Sequence, residues 1–491
     1  MNNHPKKNTP NFSKKYFNLM ILIGLIINVV FFSLTFQNPW ISDGYSMIFG
    51  TKLFNLINNQ NLFFFEFNAY GNDRFLPLFT FIVQFIPDNY IIWHGIVVFI
   101  FYLSSIFLYL VTLKLTNNSK ISLLSVILYS LNYSLNIKML SWNIFFSHIF
   151  NGFLGITSIF FFLLYLENKK KVTLILYFFS SIISTLIFET GLVYPLITLA
   201  IVYFCKNIKD ISSFLKIIIP IFFYVFFVFL NSGKFLPIFF ERADPERSNY
   251  YSSIFKKNDT DDLYFYRSNY APRDFKGYYL RAFDNILGSL NISSFEHVIK
   301  YYDKQNLIKR LLKKNFLIFS FFSILIFLVL IYFTLKDTKI KIFDNFLKKI
   351  SLIYFFVFFT YTIVFFRKDL NLGLSLITSI LLSTIIYRLY LNKKKILASI
   401  FFSLFTLSSI LYATTKFEYF SNEFSSRTDM INHYNSYLFK SENNILDKSV
   451  PDYDDYKFFF YYKNYEEYKS YLKKYKGVSM RDFRKKFLQE E

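Results

Sequence analysis

Cysteine is nearly absent from this chain of 491 residues. Cys205 stands alone, which excludes an internal disulfide framework and any zinc site built on thiolates. Glycine and proline are also scarce, at 13 and 11 residues, so collagen-like, linker-rich and low-complexity classes are excluded. Acidic residues are outnumbered by basic ones, 33 to 55. No HExxH, GxSxG, Walker or GxGxxG pattern occurs, which removes the commonest zinc-protease, serine-hydrolase and nucleotide-motor readings.

What is abundant is apolar surface. Hydrophobic residues make up 54% of the chain and aromatic residues 23%, and the mean hydropathy is +0.32. The excess of Phe, Ile, Asn, Lys and Tyr over Ala, Gly and Arg is the bias of an AT-rich genome, and part of the formal charge of +22 follows from it. The apolar residues fall in blocks of about 17–23, the length at which a helix crosses a bilayer. These blocks lie at 17–36, 90–113, 121–137, 144–166, 172–188, 191–205, 214–231, 315–335, 350–366, 370–390 and 396–413. The expected fold is an all-α polytopic membrane protein with about eleven transmembrane helices. The first block follows basic residues and has no small-residue cleavage site after it, so it reads as a retained signal anchor.

The lysines set the expected orientation. With the N-terminus in the cytoplasm, the inner segments hold Lys6, Lys7, Lys14, Lys15, Lys114, Lys120, Lys169 to Lys171, Lys206, Lys209, Lys216, Lys336, Lys339, Lys341, Lys348, Lys349 and Lys393 to Lys395. The short outer loops hold only Lys138, Arg367 and Lys368. That asymmetry predicts a cytoplasmic N-terminus and an extracytoplasmic C-terminus. Because the lysines cluster beside apolar spans, their expected partner is membrane lipid and not nucleic acid.

Residues 1–415 then form a multi-span domain, with large outer loops at about 37–89 and 232–314. Residues 416–491 form a small extracytoplasmic α/β segment. The first loop contains two apolar pieces, about 45–57 and 75–86, too short to span and suited to lying in the interface.

The candidate chemistry sits at the outer ends of spans. Asp43, in Ser42-Asp43-Gly44, is either a turn carboxylate or a base for a hydroxyl. Asp73 and Arg74 open an apolar piece containing Pro77. Arg74 suits a phosphate or the lipid headgroups. Glu189, in Phe188-Glu189-Thr190-Gly191, interrupts the apolar run from Val172 to Phe204, as a turn residue or as a functional carboxylate in an aqueous cavity. Arg367 and Lys368 break the positive-inside pattern and suit an anionic headgroup. His148 reads first as a hydrogen-bonded buried histidine and second as a base, and Trp142 as an interfacial anchor.

These residues in this order resemble the GT-C membrane glycosyltransferases, a group that includes protein mannosyltransferase-like and aminoarabinose-transferase-like bacterial enzymes. The resemblance rests on Asp43 in a long first outer loop, on Gly71-Asn72-Asp73-Arg74-Phe75-Leu76-Pro77-Leu78, and on Glu189-Thr190-Gly191-Leu192-Val193-Tyr194-Pro195. It implies transfer of a sugar from a polyprenyl-phosphate donor to a glycan, lipid or protein acceptor at the outer face of the bacterial cytoplasmic membrane. Asp43 would be the general base and Arg74, Arg367 and Lys368 would grip the donor phosphate. Asp73, His148 and Glu189 complete the substrate-binding candidates. No cofactor is specified by the residues, and a shared Mg or Mn between Asp43 and Glu189 stays open. The departures are Gly44, where many members have a second acidic residue, Phe188, where Lys is common, and one extra residue between Gly71 and Arg74. An O-antigen-polymerase or ligase-type enzyme and a transporter or flippase of lipid-linked glycans are the competing readings. The first would use Arg242, Arg247, Arg267, Arg273 and Arg281 of the second loop, and the second would need charges at mid-membrane.

Overall fold

A computed structural model describes residues 13–35, 90–132, 146–187, 189–208, 210–232, 282, 285–286, 288–289, 345–363, 372–407 and 409. Helices account for 93% of it, with no strand among the described residues. The elements are α1 (Lys14–Thr35), α2 (Tyr90–Thr116), α3 (Ser119–Ser130), α4 (Phe146–Asn168), α5 (Lys171–Ile187), a 3-10 turn (Glu189–Leu192), α6 (Val193–Ala200), a π turn (Ile201–Cys205), α7 (Ile211–Ser232), α8 (Asn345–Ile363), α9 (Leu372–Leu391) and α10 (Lys395–Leu407).

Four of these helices, α2, α4, α8 and α9, are long and apolar enough to cross a membrane. This is the architecture of an all-α membrane protein. The apolar blocks expected at 90–113, 144–166 and 370–390 coincide with α2, α4 and α9 to within a few residues. The block expected at 121–137 forms a helix of only 12 residues, α3, which reaches about 18 Å against a hydrocarbon core of about 30 Å. The block at 315–335 and the tail 416–491 lie outside the described residues.

The distribution of side chains is that of a bundle turned outward to lipid. On α5 the exposed positions include Val172, Ile175, Leu176 and Phe179, and the buried ones are Thr173, Tyr177, Ser180, Ser181, Ser184, Thr185 and Ile187. A helix of a water-soluble bundle does the reverse. Here the outer face is hydrocarbon, and the small hydroxyl residues let neighbouring helices approach closely. The same holds for α7, where Ile211, Leu215, Phe222 and Phe226 are exposed, and for α9, whose Ser375, Thr378, Ser379, Ser383 and Thr384 are buried. α9 is the most enclosed of the four long helices, 83% buried against 50% for α8.

Two ends of the bundle are defined by contacts between helix termini. At one end Ser13 N–H donates to Ser119 Oγ, Lys114 pairs with Glu167, Lys206 Nζ donates to the Lys114 carbonyl and Lys349 Nζ to Asn207 Oδ1. The turns here are tight. Each is closed by a residue with positive φ: Asn117 (51°), Lys169 (55°), Asn207 (54°) and Lys393 (60°). This is the left-handed conformation that ends a helix, a position glycine usually takes. Asn118 caps α3 through Oδ1, which accepts from Lys120 N–H and Ile121 N–H. Asp210 caps α7 by accepting from the backbone N–H groups of Ser212 and Ser213 and from Ser213 Oγ. Those bonds, the Ser213 hydroxyl first, hold its carboxyl below the usual aspartate range.

At the other end the chain leaves α1 and enters α2 where Phe32 stacks on His94, with ring centroids 6.0 Å apart. The end of α8 meets the start of α9 there too, where Gly373 N–H donates to Tyr361 Oη. α7 therefore finishes at this end while α8 begins at the lysine end. Within the stretch expected as a second outer loop, Asn285 and Ser289 are buried, and Asn285 Nδ2 donates to Thr362 Oγ1.

Candidate functional site

The Glu-Thr-Gly element forms the 3-10 turn between α5 and α6, at the end of the bundle away from the lysine turns. α5 rises to Ile187, and the segment from Glu189 to Cys205 returns to the lysine end at Lys206. Of Glu189 only the backbone is described. Gly191 is fixed by close approach. A Cβ placed on it would run into the Ser184 carbonyl and lie 2.8 Å from Thr185 N. The turn is thereby pressed onto the last two turns of α5. Pro195 sits in the first turn of α6, where its missing N–H costs least.

A buried hydrogen-bond chain anchors the turn to α4. Asn151 Nδ2 donates to Thr190 Oγ1 at 3.0 Å, and Ser184 Oγ donates to Asn151 Oδ1 at 2.6 Å. All three residues are buried, Asn151 to 1% exposure and Ser184 to 0%. An amide at that depth needs both its donor and its acceptor answered. Asn151 satisfies this by joining α4, α5 and the turn. His148 lies one helical turn before Asn151 and is also buried.

Beside this chain stands a group of buried tyrosines. Tyr129, Tyr194 and Tyr361, from α3, α6 and α8, are electrostatic neighbours, and Tyr129 stacks on Phe101 with centroids 5.1 Å apart. Glycines make room for them. A Cβ on Gly155 would overlap the Tyr194 ring, one on Gly152 would lie 3.3 Å from Tyr194 Oη, and one on Gly373 would lie 2.8 Å from Tyr361 Oη. The described interior of this end thus sets amides, phenols, hydroxyls and the imidazoles of His94 and His148 among buried apolar side chains such as Trp93, Ile149, Ile187, Val193 and Leu372.

Asp43, Asp73, Arg74, Arg367 and Lys368 lie outside the described residues, as does Trp142. The helix ends that flank their segments are described, and all belong to this same end: Thr35 and Tyr90 for 36–89, and Ile363 and Leu372 for 364–371. Among the described residues no group of three or more His, Cys, Asp or Glu side chains gathers that could hold a metal ion. The described Asp, Glu, Lys and Arg residues lie at or near helix ends.

Asn151, Ser184, Tyr194 and Tyr361 were not singled out from sequence. A signal for Asn151 existed, as an amide within the apolar block 144–166 with Gly152 and Gly155 beside it. Tyr194 was quoted only as a spacer between Gly191 and Pro195. Compared with known proteins, the chain matches no family model and no curated protein.

Proposed function

We propose that the chain is a membrane glycosyltransferase of the GT-C kind. It moves a sugar from a polyprenyl-phosphate donor to a glycan, lipid or protein acceptor of the cell envelope. Its working end is the one carrying the Glu-Thr-Gly turn, and the lysines at the opposite end support an orientation with that turn outside the bacterial cytoplasmic membrane. The observation that carries the reading is the buried Thr190–Asn151–Ser184 chain. It fixes an acidic turn at the same bundle end where the segments bearing Asp43, Arg74, Arg367 and Lys368 leave and return.

In this reaction Asp43 takes the proton of an acceptor hydroxyl. The oxygen forms a bond to the anomeric carbon as the bond to the donor phosphate breaks, and the configuration inverts. Arg74, Arg367 and Lys368 stabilise the charge that develops on the departing polyprenyl phosphate. Glu189 orients the acceptor or the first loop, with Asp73 and His148 in the surrounding polar shell. A divalent Mg or Mn ion would have Asp43 and Glu189 as its carboxylate ligands.

A transporter or flippase needs ionisable groups at mid-membrane. The described charged residues instead lie near helix ends, which favours an enzyme at the membrane face over a conduit.

The test is sugar transfer in membranes from a panel of radiolabelled polyprenyl-phosphate sugars, with wild type beside Asp43→Asn. Transfer lost in the variant at equal protein level supports the enzyme class and the base together. Equal transfer in both removes Asp43 from the mechanism and moves the base to Glu189. No transfer from any donor, with lipid-linked acceptors supplied, shifts the reading to a polymerase or a transporter.

A further inference from the structure

A hydroxyl or amide buried on a helix can answer itself by turning back to a carbonyl of the preceding turn. On α9, Ser379 donates to the Ser375 carbonyl in this way, and Ser383 and Thr384 both donate to the Ile380 carbonyl. Asn28 and Asn392 do the same with their amides. Three residues at one level of the bundle do not. Asn132 Nδ2 and Oδ1, Ser375 Oγ and Thr378 Oγ1 are buried and make no hydrogen bond among the described residues. Asn132 and Ser375 have no exposure and Thr378 has 2%. The Leu374 carbonyl, four residues before Thr378, is in place to accept, and the Thr378 hydroxyl points away from it.

The fold sets these three side by side. α3 starts at the lysine turn of Asn117 and α9 ends at that of Lys393, so the two run antiparallel. They pack through Leu128 of α3 and Leu382, Ile386 and Leu389 of α9, in one apolar cluster with Ala398 and Phe405 of α10. Ser375 and Thr378 precede Leu382 by seven and four residues, so they extend that stripe of α9 away from the lysine end. Asn132 follows Leu128 by four and extends the facing stripe of α3 in the same direction. Their heights agree: at about 1.5 Å per residue, Asn132 stands about 20 Å from Asn118 and Thr378 about 22 Å from Lys393. Two contacts fix the same level. Ser409 Oγ, just past α10, donates to the Leu131 carbonyl at 2.6 Å. Tyr129, one turn before Asn132, is an electrostatic neighbour of Tyr361, whose Oη accepts from Gly373, two residues before Ser375.

Each unanswered atom lowers stability by its full desolvation cost, so four gathered at one level call for a partner. Their chemistry selects it. An amide and two hydroxyls offer neutral donors and acceptors together, which suits ligand hydroxyls. The charged residues of α3, α9 and α10, which are Lys120, Arg388 and Lys395, lie towards the lysine end. An ionised ligand group would be buried here without a counter-charge from these helices. The level lies about 10 Å inside a hydrocarbon core of about 30 Å, on the side where α9 begins. We propose that Asn132, Ser375 and Thr378 bind the hydroxyls of an uncharged sugar ring, which enters by parting the ends of α3 and α9 while its phosphate and polyprenyl chain stay nearer the outer face. The ligand's identity rests on the glycosyl-transfer reading; the unanswered groups do not.

The experiment follows the melting temperature of the purified full chain, alone and titrated with polyprenyl-phosphate glucose, galactose or mannose, with polyprenyl-phosphate glucuronate, or with bare polyprenyl phosphate. Ser375→Ala/Thr378→Val removes the two unanswered hydroxyls with little change of shape, and Asn132→Leu removes the amide. Ser379→Ala/Thr384→Val, which removes two hydroxyls already bonded within α9, is the control. Without ligand, both site variants should melt roughly 2 °C or more above wild type, and the control should not. One of the neutral donors should protect wild type at lower concentration than the glucuronate or the bare phosphate. The site variants should weaken that protection about tenfold or more, the equivalent of one or two neutral hydrogen bonds, and the control should leave it unchanged. If one site variant fails to fold, the other carries the comparison. Lower melting in the folded site variants would show bonded, structural groups and overturn the site. Equal protection of wild type and site variants by a sugar donor overturns the site and leaves the glycosyl-transfer reading standing. Glucuronate acting as well as the neutral donors overturns the uncharged ligand, and bare phosphate acting as well as any donor overturns the sugar. No protection of wild type by any donor overturns the glycosyl-transfer reading and the ligand with it, even where the site variants melt higher.

Discussion

The lysine end of the bundle closes in tight turns built from charge and left-handed residues. The end carrying Glu189 is joined through neutral hydrogen bonds, tyrosine rings and glycines. At the first end groups holding the turns are exposed, such as Glu167, Lys169 and Lys393. At the second they are buried, such as Asn151, Thr190 and Tyr194. The difference teaches where sequence change is costly. Exposed charge is weakly coupled to stability, whereas a buried polar group left unpaired loses its desolvation energy in full.

The largest effects are therefore expected at the Glu-Thr-Gly end. Gly191→Ala places a methyl against the Ser184 carbonyl, which is backbone and cannot swing away. It is expected to lower stability by about 3 kcal/mol, the upper part of the range for overpacking. Gly95→Ala is its control, since the nearest atom to a Cβ there is Phe32 Cε2 at an ordinary 3.6 Å, and it should leave stability equal or slightly raised. Thermal unfolding of the two proteins in one detergent decides between them. Similar losses for both would mean that the packing around the turn is not as described.

Next in size is Asn151→Ala. It removes the Oδ1 acceptor of Ser184, whose hydroxyl keeps the Asn151 carbonyl at 3.1 Å, and the donor to Thr190, at a cost of about 2 kcal/mol. Asn151→Asp should do no better, because a carboxylate in its place adds a buried charge with no cation described beside it. Full stability in either variant would show that the chain does not anchor the turn.

How far this was legible in the sequence differs between the two ends. The lysine end was legible because its signals are local: a lysine beside an apolar block marks a terminus. The helix α2 could be read from its length alone. The polar end was legible only at Glu189-Thr190-Gly191, where a charge and a glycine interrupt an apolar run. Asn151 pairs with Ser184 and Thr190 across 33 and 39 residues, and Tyr361 with Gly373 across 12, and nothing in their own segments states the partner. α3 was read too long because the apolar composition continues past Ser130, while the described helix ends there. Asn285 and Ser289 were read with a polar outer loop, since burial against α8 leaves no local mark.

Smaller effects are expected at the lysine end. Lys169→Gly and Lys393→Gly relieve a left-handed conformation that costs an ordinary residue about 1–2 kcal/mol. Glycine's greater freedom in the unfolded chain offsets about half of that. Each variant should gain up to about 1 kcal/mol in the same unfolding measurement. A loss at Lys169 alone would assign its contact with the Tyr165 ring more weight than its backbone strain.

The smallest effect is expected at Asp210, which is fully exposed. Its carboxyl is held below the usual range by Ser213 and the first N–H groups of α7. A depressed folded value means stabilisation that is complete above the unfolded aspartate value of about 3.9 and is lost as pH falls through the lower folded value. Asp210→Asn keeps an acceptor for the cap but cannot titrate, so the pH dependence of melting below about pH 4 should become shallower. Asp210→Ala removes cap and titration together, and should lower the melting temperature at neutral pH as well. If Asp210→Asn instead leaves the acid limb unchanged, the capping bonds do not distinguish the charged from the neutral carboxyl.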